Sequence, residues 1–317
     1  MGHRTSGRLS LADALVKQRA GVNADLGRIA GSVKWYRFEK FLGVIFAAPE
    51  GRPSYPPLVL LKSLLLQQWH RLSDAEAEEA ISDRLSFRRF VGLALDEDVP
   101  DHTTICRFRQ QLVKHGLAEK VFDEMNRQLE KQGLIVKQGT LIDATLVEAD
   151  ADVRRGPDGE AVTVDGEAGF AQRRGKSFYG YKAHVGVDSS GLIRRALVTP
   201  ANVHDSTVGD QMISGDECMV IADKAYDSQA RRQRLADMGI KDGIMRQGRR
   251  NHPLSAGARK RNRRLAPVRS AVERVFGTLK RSYGWTRARY RGLAKNASHF
   301  FLLCIALNLR RAVVLTT

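Results

Sequence analysis

Cysteine is scarce in this chain. Cys106, Cys218 and Cys304 are the three among 317 residues, and they stand far apart, with no Cys-x-x-Cys and no neighbouring histidine pair. That excludes a disulfide framework and a structural zinc site, and it suits a reducing cytoplasm. Long apolar runs are lacking as well. The longest, Phe41 to Ala48 and Phe300 to Leu307, fall short of the roughly 18 residues that cross a bilayer, so no membrane segment is expected. No apolar stretch of signal-peptide type follows the basic first residues. Met1-Gly2-His3-Arg4-Thr5-Ser6 fits the bare myristoylation pattern but has no second membrane signal, and it reads as coincidence. Internal repeats are missing too. With 43% hydrophobic and 27% charged residues, disordered and collagen-like chains are excluded. The length suits one large or two ordinary domains.

The most informative scarcity is of acid. Between Arg246 and Lys295 there are sixteen Lys or Arg and a single carboxylate, Glu273, so this window carries +15 of the net charge of +17. Val268, Val272, Val275, Phe276, Leu279, Tyr283 and Trp285 are woven through it, so it reads as folded. A folded basic face of this kind is the mark of phosphate neutralisation, and it points to a polyanionic partner, nucleic acid.

Along the chain, short helices are expected around Leu11 to Val16 and Trp35 to Ile45. Gly51 to Pro57 breaks any helix, Leu58 to Trp69 is an apolar helix, and Ser73-x-x-Glu76 is a capping box. Ser86 to Leu93 reads as a short helix. Pro100-Asp101 opens another that runs to about His115, where Gly116 stops it. On that last helix Ile105, Phe108 and Leu112 make one apolar face, while Arg107, Lys114 and other polar residues point elsewhere. The pattern suits a helix-turn-helix-like DNA reader or, equally, a helical bundle with a wet face.

At Gly139 the pattern turns to β. Thr140 to Val147 is a β-rich run, Tyr181 to Val187 and Leu192 to Thr199 form a hairpin about Asp188-Ser189-Ser190-Gly191, and Met219 to Ala222 is a buried strand. A helix over Ser228 to Met238, a short strand at Gly243 to Met245, and helices from Pro267 to about Arg281 and Ser298 to Arg311 complete the chain. This order is that of a ribonuclease H-like α/β domain. Gly156 to Gly175, rich in Gly and charge, reads as a loop beside the sheet. The fold class expected is therefore α/β: a mixed sheet flanked by helices over residues 136–317, preceded by an all-helical domain over residues 1–135.

Three carboxylates look chemical. Asp143 interrupts a strand, where a charge needs a partner or a metal. Asp223 ends the strand Val220-Ile221-Ala222, the usual place of α/β sites, although strand-ending aspartates also serve as caps. Arg269, Glu273 and Lys280, spaced by 4 and 7, fall within about 40° of one another on a helical wheel. The apolar stripe Val268, Val272, Val275, Phe276 and Leu279 is turned away from them. Arg269 and Glu273 could also be a simple i, i+4 pair. Two Asp and one Glu together would form a hard oxygen site for Mg²⁺, and a pair of such ions can stabilise an in-line phosphodiester displacement.

These residues resemble a known family, the DDE transposases of bacterial insertion sequences, specifically the "family five" insertion sequences. The resemblance runs almost end to end. Gly51-Arg52-Pro53-Ser54-Tyr55-Pro56-Pro57 and Val99-Pro100-Asp101-His102-Thr103-Thr104 are similar to the family's helical N-terminal domain. Leu141-Ile142-Asp143-Ala144-Thr145, Ala222-Asp223-Lys224-Ala225-Tyr226-Asp227-Ser228 and Val272-Glu273-Arg274-Val275-Phe276-Gly277-Thr278-Leu279-Lys280-Arg281 are similar to the segments carrying the three catalytic acids. Tyr179-Gly180-Tyr181-Lys182-Ala183-His184 and Asn202-Val203-His204-Asp205-Ser206 also resemble family motifs. The Arg-x3-Glu-x6-Lys signature is intact, but its Tyr, three positions before Arg269, is here Ala266.

The resemblance implies a transposase with catalytic, metal-holding Asp143, Asp223 and Glu273. It implies Mg²⁺ as cofactor, in two ions with Mn²⁺ as substitute, and DNA contacts from Arg269, Lys280, Lys182, Arg107 and Lys114. The reaction implied is cleavage at terminal inverted repeats followed by attack of a 3′-hydroxyl on target DNA. The partners implied are transposon ends and target DNA in at least a dimer, with no membrane, in a bacterial cytoplasm at the nucleoid. His184, His204 and Asp205 are further candidates for the site, His204 and Asp205 equally for a local turn and helix cap. Asp188, Asp150 and Asp227 read as turn, loop and cap residues. The competing expectations are a catalytically silent DNA-binding repressor descended from a transposase and a related nuclease without strand transfer.

Overall fold

The structure is a computed structural model. It describes residues 6–7, 13, 23–45, 54–149, 153–155, 161–163, 165–173, 175–248 and 252–317. Apart from Asp13, the expected helix at Leu11 to Val16 lies outside these residues, as do Gly51 to Pro53 and Asp150. The chain divides into two compact units, residues 1–132 with 301–317, and residues 133–300.

The first unit is helical: α1 (Ala24–Ser32), α2 (Tyr36–Leu42), α3 (Pro57–His70), α4 (Asp74–Asp83), α5 (Leu85–Val91), α6 (His102–Lys114) and α7 (Leu117–Lys131). Pro57 sits in the first turn of α3, where its missing N–H costs nothing, and α3 is buried on nearly every side. The capping box is made: the Glu76 N–H donates to Ser73 Oγ at 3.2 Å and the Ser73 N–H to Glu76 Oε2 at 2.7 Å. Asp101 caps α6 by accepting from the Thr104 N–H at 2.6 Å. Ile105, Phe108 and Leu112 are fully buried while Arg107 and Lys114 are exposed, as the spacing predicts.

The last helix, α12 (Leu293–Thr316), begins in the second unit, and its residues from Phe301 onward belong to the first. In this division residues 301–317 group with the helical unit. Trp69 Nε1 donates to the Ala306 carbonyl at 2.9 Å, buried Asn308 donates to Asn126 at 3.0 Å, and Phe301 packs on Phe122. By length and composition α12 could cross a membrane, which the short run Phe300 to Leu307 does not suggest. However, 72% of its most apolar window is buried inside the protein, as in a core helix.

The second unit carries β1 (Thr140–Glu148), β2 (Val153–Arg155), β3 (Ala161–Thr163), β4 (Gly169–Arg173), β5 (Lys176–Asp188), β6 (Ile193–Pro200), the short helix α8 (Asp205–Val208), β7 (Met219–Ala222), α9 (Gln229–Asp237), β8 (Lys241–Ile244), α10 (Ala256–Leu265) and α11 (Ser270–Arg281). The sheet runs β6-β5-β1-β7-β8, with β4 paired to the first residues of β5. β5 is antiparallel to β1, and β7 and β8 are parallel to their neighbours. This is the ribonuclease H-like arrangement expected. Ile142, Val220, Ala222, Tyr226, Leu235 and Ile244 form its core on one side, and α11 packs on β1 and β5 through Val272, Val275, Phe276 and Leu279.

Several expectations need correction. Within Gly156 to Gly175, expected to be a loop, the described residues include β3 and β4. β2 and β3 pair as a separate hairpin, and Phe170 of β4 lies against Tyr179 of β5 at 4.5 Å. Val268, placed in the apolar stripe, is 47% exposed. Gly180 is needed for close approach: a Cβ there would come within 2.2 Å of the Val147 carbonyl oxygen on β1.

Candidate active site

The parallel register of β1 and β7 sets Ile142 opposite Ala222. The next residues, Asp143 and Asp223, therefore stand at neighbouring positions toward the carboxyl end of β7. Asp223 also caps the 3₁₀ turn Lys224–Tyr226, accepting from the Lys224 N–H at 2.7 Å. The Ala144 N–H donates to Asp143 Oδ1 at 2.9 Å. Between the two carboxylates lies one guanidinium: Arg269 Nη2 is 2.9 Å from Asp143 Oδ2 and Nη1 is 3.5 Å from Asp223 Oδ1. Burial pushes the Asp143 carboxyl above its ordinary pKa. The Arg269 charge and the Ala144 N–H oppose the rise, and the charge of Asp223 adds to it.

Glu273 stands apart. It lies in the first turn of α11, is exposed, and has no hydrogen bond or ion pair among the described residues. No three His, Cys, Asp or Glu side chains come together as a cation site among those residues. The simple i, i+4 pair of Arg269 with Glu273 is not made, and the Arg269 guanidinium goes to the aspartates. Pro267–Arg269 form a 3₁₀ turn, at about three residues per turn, and α11 begins only at Ser270. Two carboxylates converging on one cation are a donor set that fits a hard divalent ion, with the guanidinium as its stand-in. The described geometry brings together two of the three expected ligands.

Lys182 is directed inward. Its Nζ is 2.8 Å from Asp205 Oδ1 and donates to the Val203 carbonyl at 2.7 Å, and the side chain is 14% exposed. Its charge is answered within the protein by Asp205. His204 caps α8 by accepting from the Ser206 N–H at 3.2 Å. Lys280 is half-buried on α11. Asp188 serves its turn, accepting from Ser190 Oγ and the Leu192 N–H, and also from the Val136 N–H. Asp227 caps the end of the 3₁₀ turn Lys224–Tyr226, its N–H donating to the Lys224 carbonyl, while its side chain pairs with Arg232 at 3.1 Å and accepts from the Gln247 N–H.

His184 is fully buried. Its Nε2 lies 2.9 Å from Thr199 Oγ1, and its Nδ1 has no partner among the described residues. Burial pushes its pKa down to about 4, with Lys182 lowering it further and Asp205 opposing. The unfolded chain takes up this proton near pH 6.5, the folded chain only near 4. Stability is therefore full above about pH 6.5 and declines as pH falls toward 4, by about 3 kcal/mol from this group. In urea titrations across that window, wild type should lose stability more steeply than His184→Gln. Parallel curves would remove His184 as the cause.

Three features escape sequence reading. Tyr226 is buried with its hydroxyl unpartnered among the described residues, and burial together with the charges of Asp205 and Asp143 raises its pKa. Buried Arg231 ties the segment after β7 to α8: it donates to the Tyr226 carbonyl at 2.6 Å, to Asp210 at 2.8 Å and to the Ser206 carbonyl. The third is α10, which has no buried residue. Arg261 anchors it to the Ile244 and Asp242 carbonyls at 2.6 and 2.5 Å, and Asn262 exchanges hydrogen bonds with the Arg246 backbone. On the opposite arc Arg259, Lys260, Arg263 and Arg264 are exposed.

The family model described as "Transposase DDE domain" matches residues 135–309, more than half of the chain. That described as "Transposase domain (DUF772)" matches residues 14–111. Among solved structures, the chain is similar to a Mos1 transposase paired-end complex with the left transposon end, at 10% identity, 80% of this chain, 87% of that chain and TM-score 0.21. It is also similar to the Mos1 strand transfer complex, at 12% identity, 85% of this chain, 84% of that chain and TM-score 0.20. Scores of that size carry no argument about fold or reaction. The family match rests on the sheet-bearing segment that holds Asp143, Asp223 and Glu273, and by it the chain belongs to the DDE transposases.

Proposed function

We propose that this protein is the transposase of a bacterial insertion sequence of the family-five type. It cleaves DNA at the element's terminal inverted repeats and joins the 3′ ends to target DNA. The observation that carries the reading is the convergence of Asp143 and Asp223 on one cation at 2.9 and 3.5 Å. Asp143, Asp223 and Glu273 are the catalytic carboxylates, and DDE transposases as a family use divalent ions. Bound Mg²⁺ or Mn²⁺, two ions in this reading, supplies charge stabilisation for the attacking and leaving oxygens of an in-line displacement.

The remaining work falls to the chain. Asp143, within β1, and Asp223, just beyond β7, would hold the cation, and Glu273, exposed on the first turn of α11, would complete the set when DNA is present. Arg269, Lys280 and the exposed arc of α10 hold phosphates, positioning the backbone without reading its sequence. Arg107 and Lys114, exposed on α6, make the helical unit the reader of the repeats. Two ends must meet in one reaction, so the DNA complex contains at least a dimer.

One observation favours a second reading. Glu273 does not join the aspartates, as a catalytically silent DNA-binding descendant would allow. Incubating the protein with the DNA flanking its own gene, a target plasmid and Mg²⁺ separates the two. Joined donor-target products support the transposase, and binding without breaks supports the silent protein.

A further inference from the structure

Arg269 occupies the place that a cation would take between Asp143 and Asp223, and it is the same residue that the family signature offers to DNA. It cannot serve both partners at once. Its side chain is 15% exposed, two of its nitrogens are committed to the two carboxylates, and its Nε is buried with no partner among the described residues. It lies on a 3₁₀ turn that follows directly on α10, whose outward arc carries Arg259, Lys260, Arg263 and Arg264. A phosphate drawn to that arc arrives within a few residues of the guanidinium, and a phosphate offers it a bidentate partner equivalent to a carboxylate. While the guanidinium bridges the aspartates, a divalent cation meets a like charge at the same oxygens.

We infer that Arg269 is a two-position latch: bridging Asp143 and Asp223 it keeps divalent cations out of the DNA-free site, and by transferring to a DNA phosphate it releases both carboxylates to bind the ion. The inference rests on the reading of the aspartate pair as the metal site. Its consequence is reciprocal coupling: DNA raises affinity for the metal, and the metal raises affinity for DNA by the same factor. Such a latch would keep a nuclease without its metal until substrate is present.

The test is Mn²⁺ binding, followed by electron paramagnetic resonance at low salt, with and without a short duplex of arbitrary sequence. Phosphate contact does not depend on base sequence. For wild type the duplex should tighten Mn²⁺ binding by about tenfold, an ordinary coupling between two sites. Arg269→Gln should bind Mn²⁺ about tenfold tighter than wild type without DNA and gain nothing further from the duplex. Should Arg269→Gln fail to fold, Arg269→Lys serves in its place, because a single ammonium cannot fork across two carboxylates. It too should bind Mn²⁺ more tightly than wild type. Asp143→Asn separates the two claims. If it binds Mn²⁺ as wild type does, the metal-site reading fails and the latch fails with it. If it loses Mn²⁺ while the Arg269 variants bind no tighter than wild type, the metal site stands and the latch is overturned.

Discussion

Asp143→Asn and Asp223→Asn should each lower DNA cleavage by on the order of 10²- to 10³-fold, the scale on which loss of one preorganised charge-stabilising group acts. Each substitution removes a negative charge while keeping the shape of the side chain. DNA binding should survive and should even strengthen slightly, because the Arg269 guanidinium loses one of its two carboxylates and is freer to meet a phosphate. Folding should survive too. The Ala144 and Lys224 N–H groups that donate to these carboxylates retain an amide oxygen as acceptor. Cleavage by purified variants on supercoiled DNA carrying the element's ends, beside binding by gel shift, makes the measurement. A variant that cuts within a few-fold of wild type would remove its aspartate from the catalytic set.

The second large effect concerns α10. Replacing Arg259, Lys260, Arg263 and Arg264 with Gln removes four exposed charges that pair with no acid among the described residues. If they meet phosphates, the slope of log affinity against log salt should flatten by about three to four, since each phosphate contact contributes about 0.9. Thermal stability should change little, because the helix buries nothing and its anchors, Arg261 and Asn262, are untouched. Fluorescence anisotropy over a salt series, with thermal melts as control, reads both quantities. An unchanged slope would transfer the DNA interface to another surface.

How far the sequence carries can be judged from particular elements. β1 and the β5–β6 hairpin are legible from β-rich runs and the turn residues between them, and β7 from a short continuous apolar run, the mark of a buried strand. The capping box and the Asp101 cap are legible because their hydrogen bonds are local. β4 is not, since its stability comes from pairing with β5 and its own composition reads as loop. α10 is illegible for a related reason: with nothing buried it has no apolar period, and Arg261 holds it to carbonyls of a distant strand.

The same division runs through the site. That Asp143 and Asp223 are unusual can be read from their strands, but their meeting on one guanidinium depends on the parallel register of β1 with β7. The stripe that puts Arg269 beside Glu273 assumes one continuous α-helix. Pro267 sits in a 3₁₀ turn that leads directly into α11, and the Arg269 guanidinium reaches the aspartates rather than Glu273. Lys182 pairs with Asp205, and nothing in the local sequence declares that pair.

The measurement that bears most directly on the central claim is a transposition assay in bacteria. A marked plasmid carrying this gene with its native flanking DNA is scored for insertions, with wild type beside Glu273→Gln. Glu273 is the right residue because it is exposed and unpartnered among the described residues, so its amide variant should fold and bind DNA as wild type does. Insertions from wild type alone, with junctions that define the terminal repeats, are the outcome expected of a DDE transposase whose third carboxylate joins Asp143 and Asp223 on DNA. Insertions at equal frequency from Glu273→Gln would contradict that account, and none from either protein would favour the silent DNA-binding descendant.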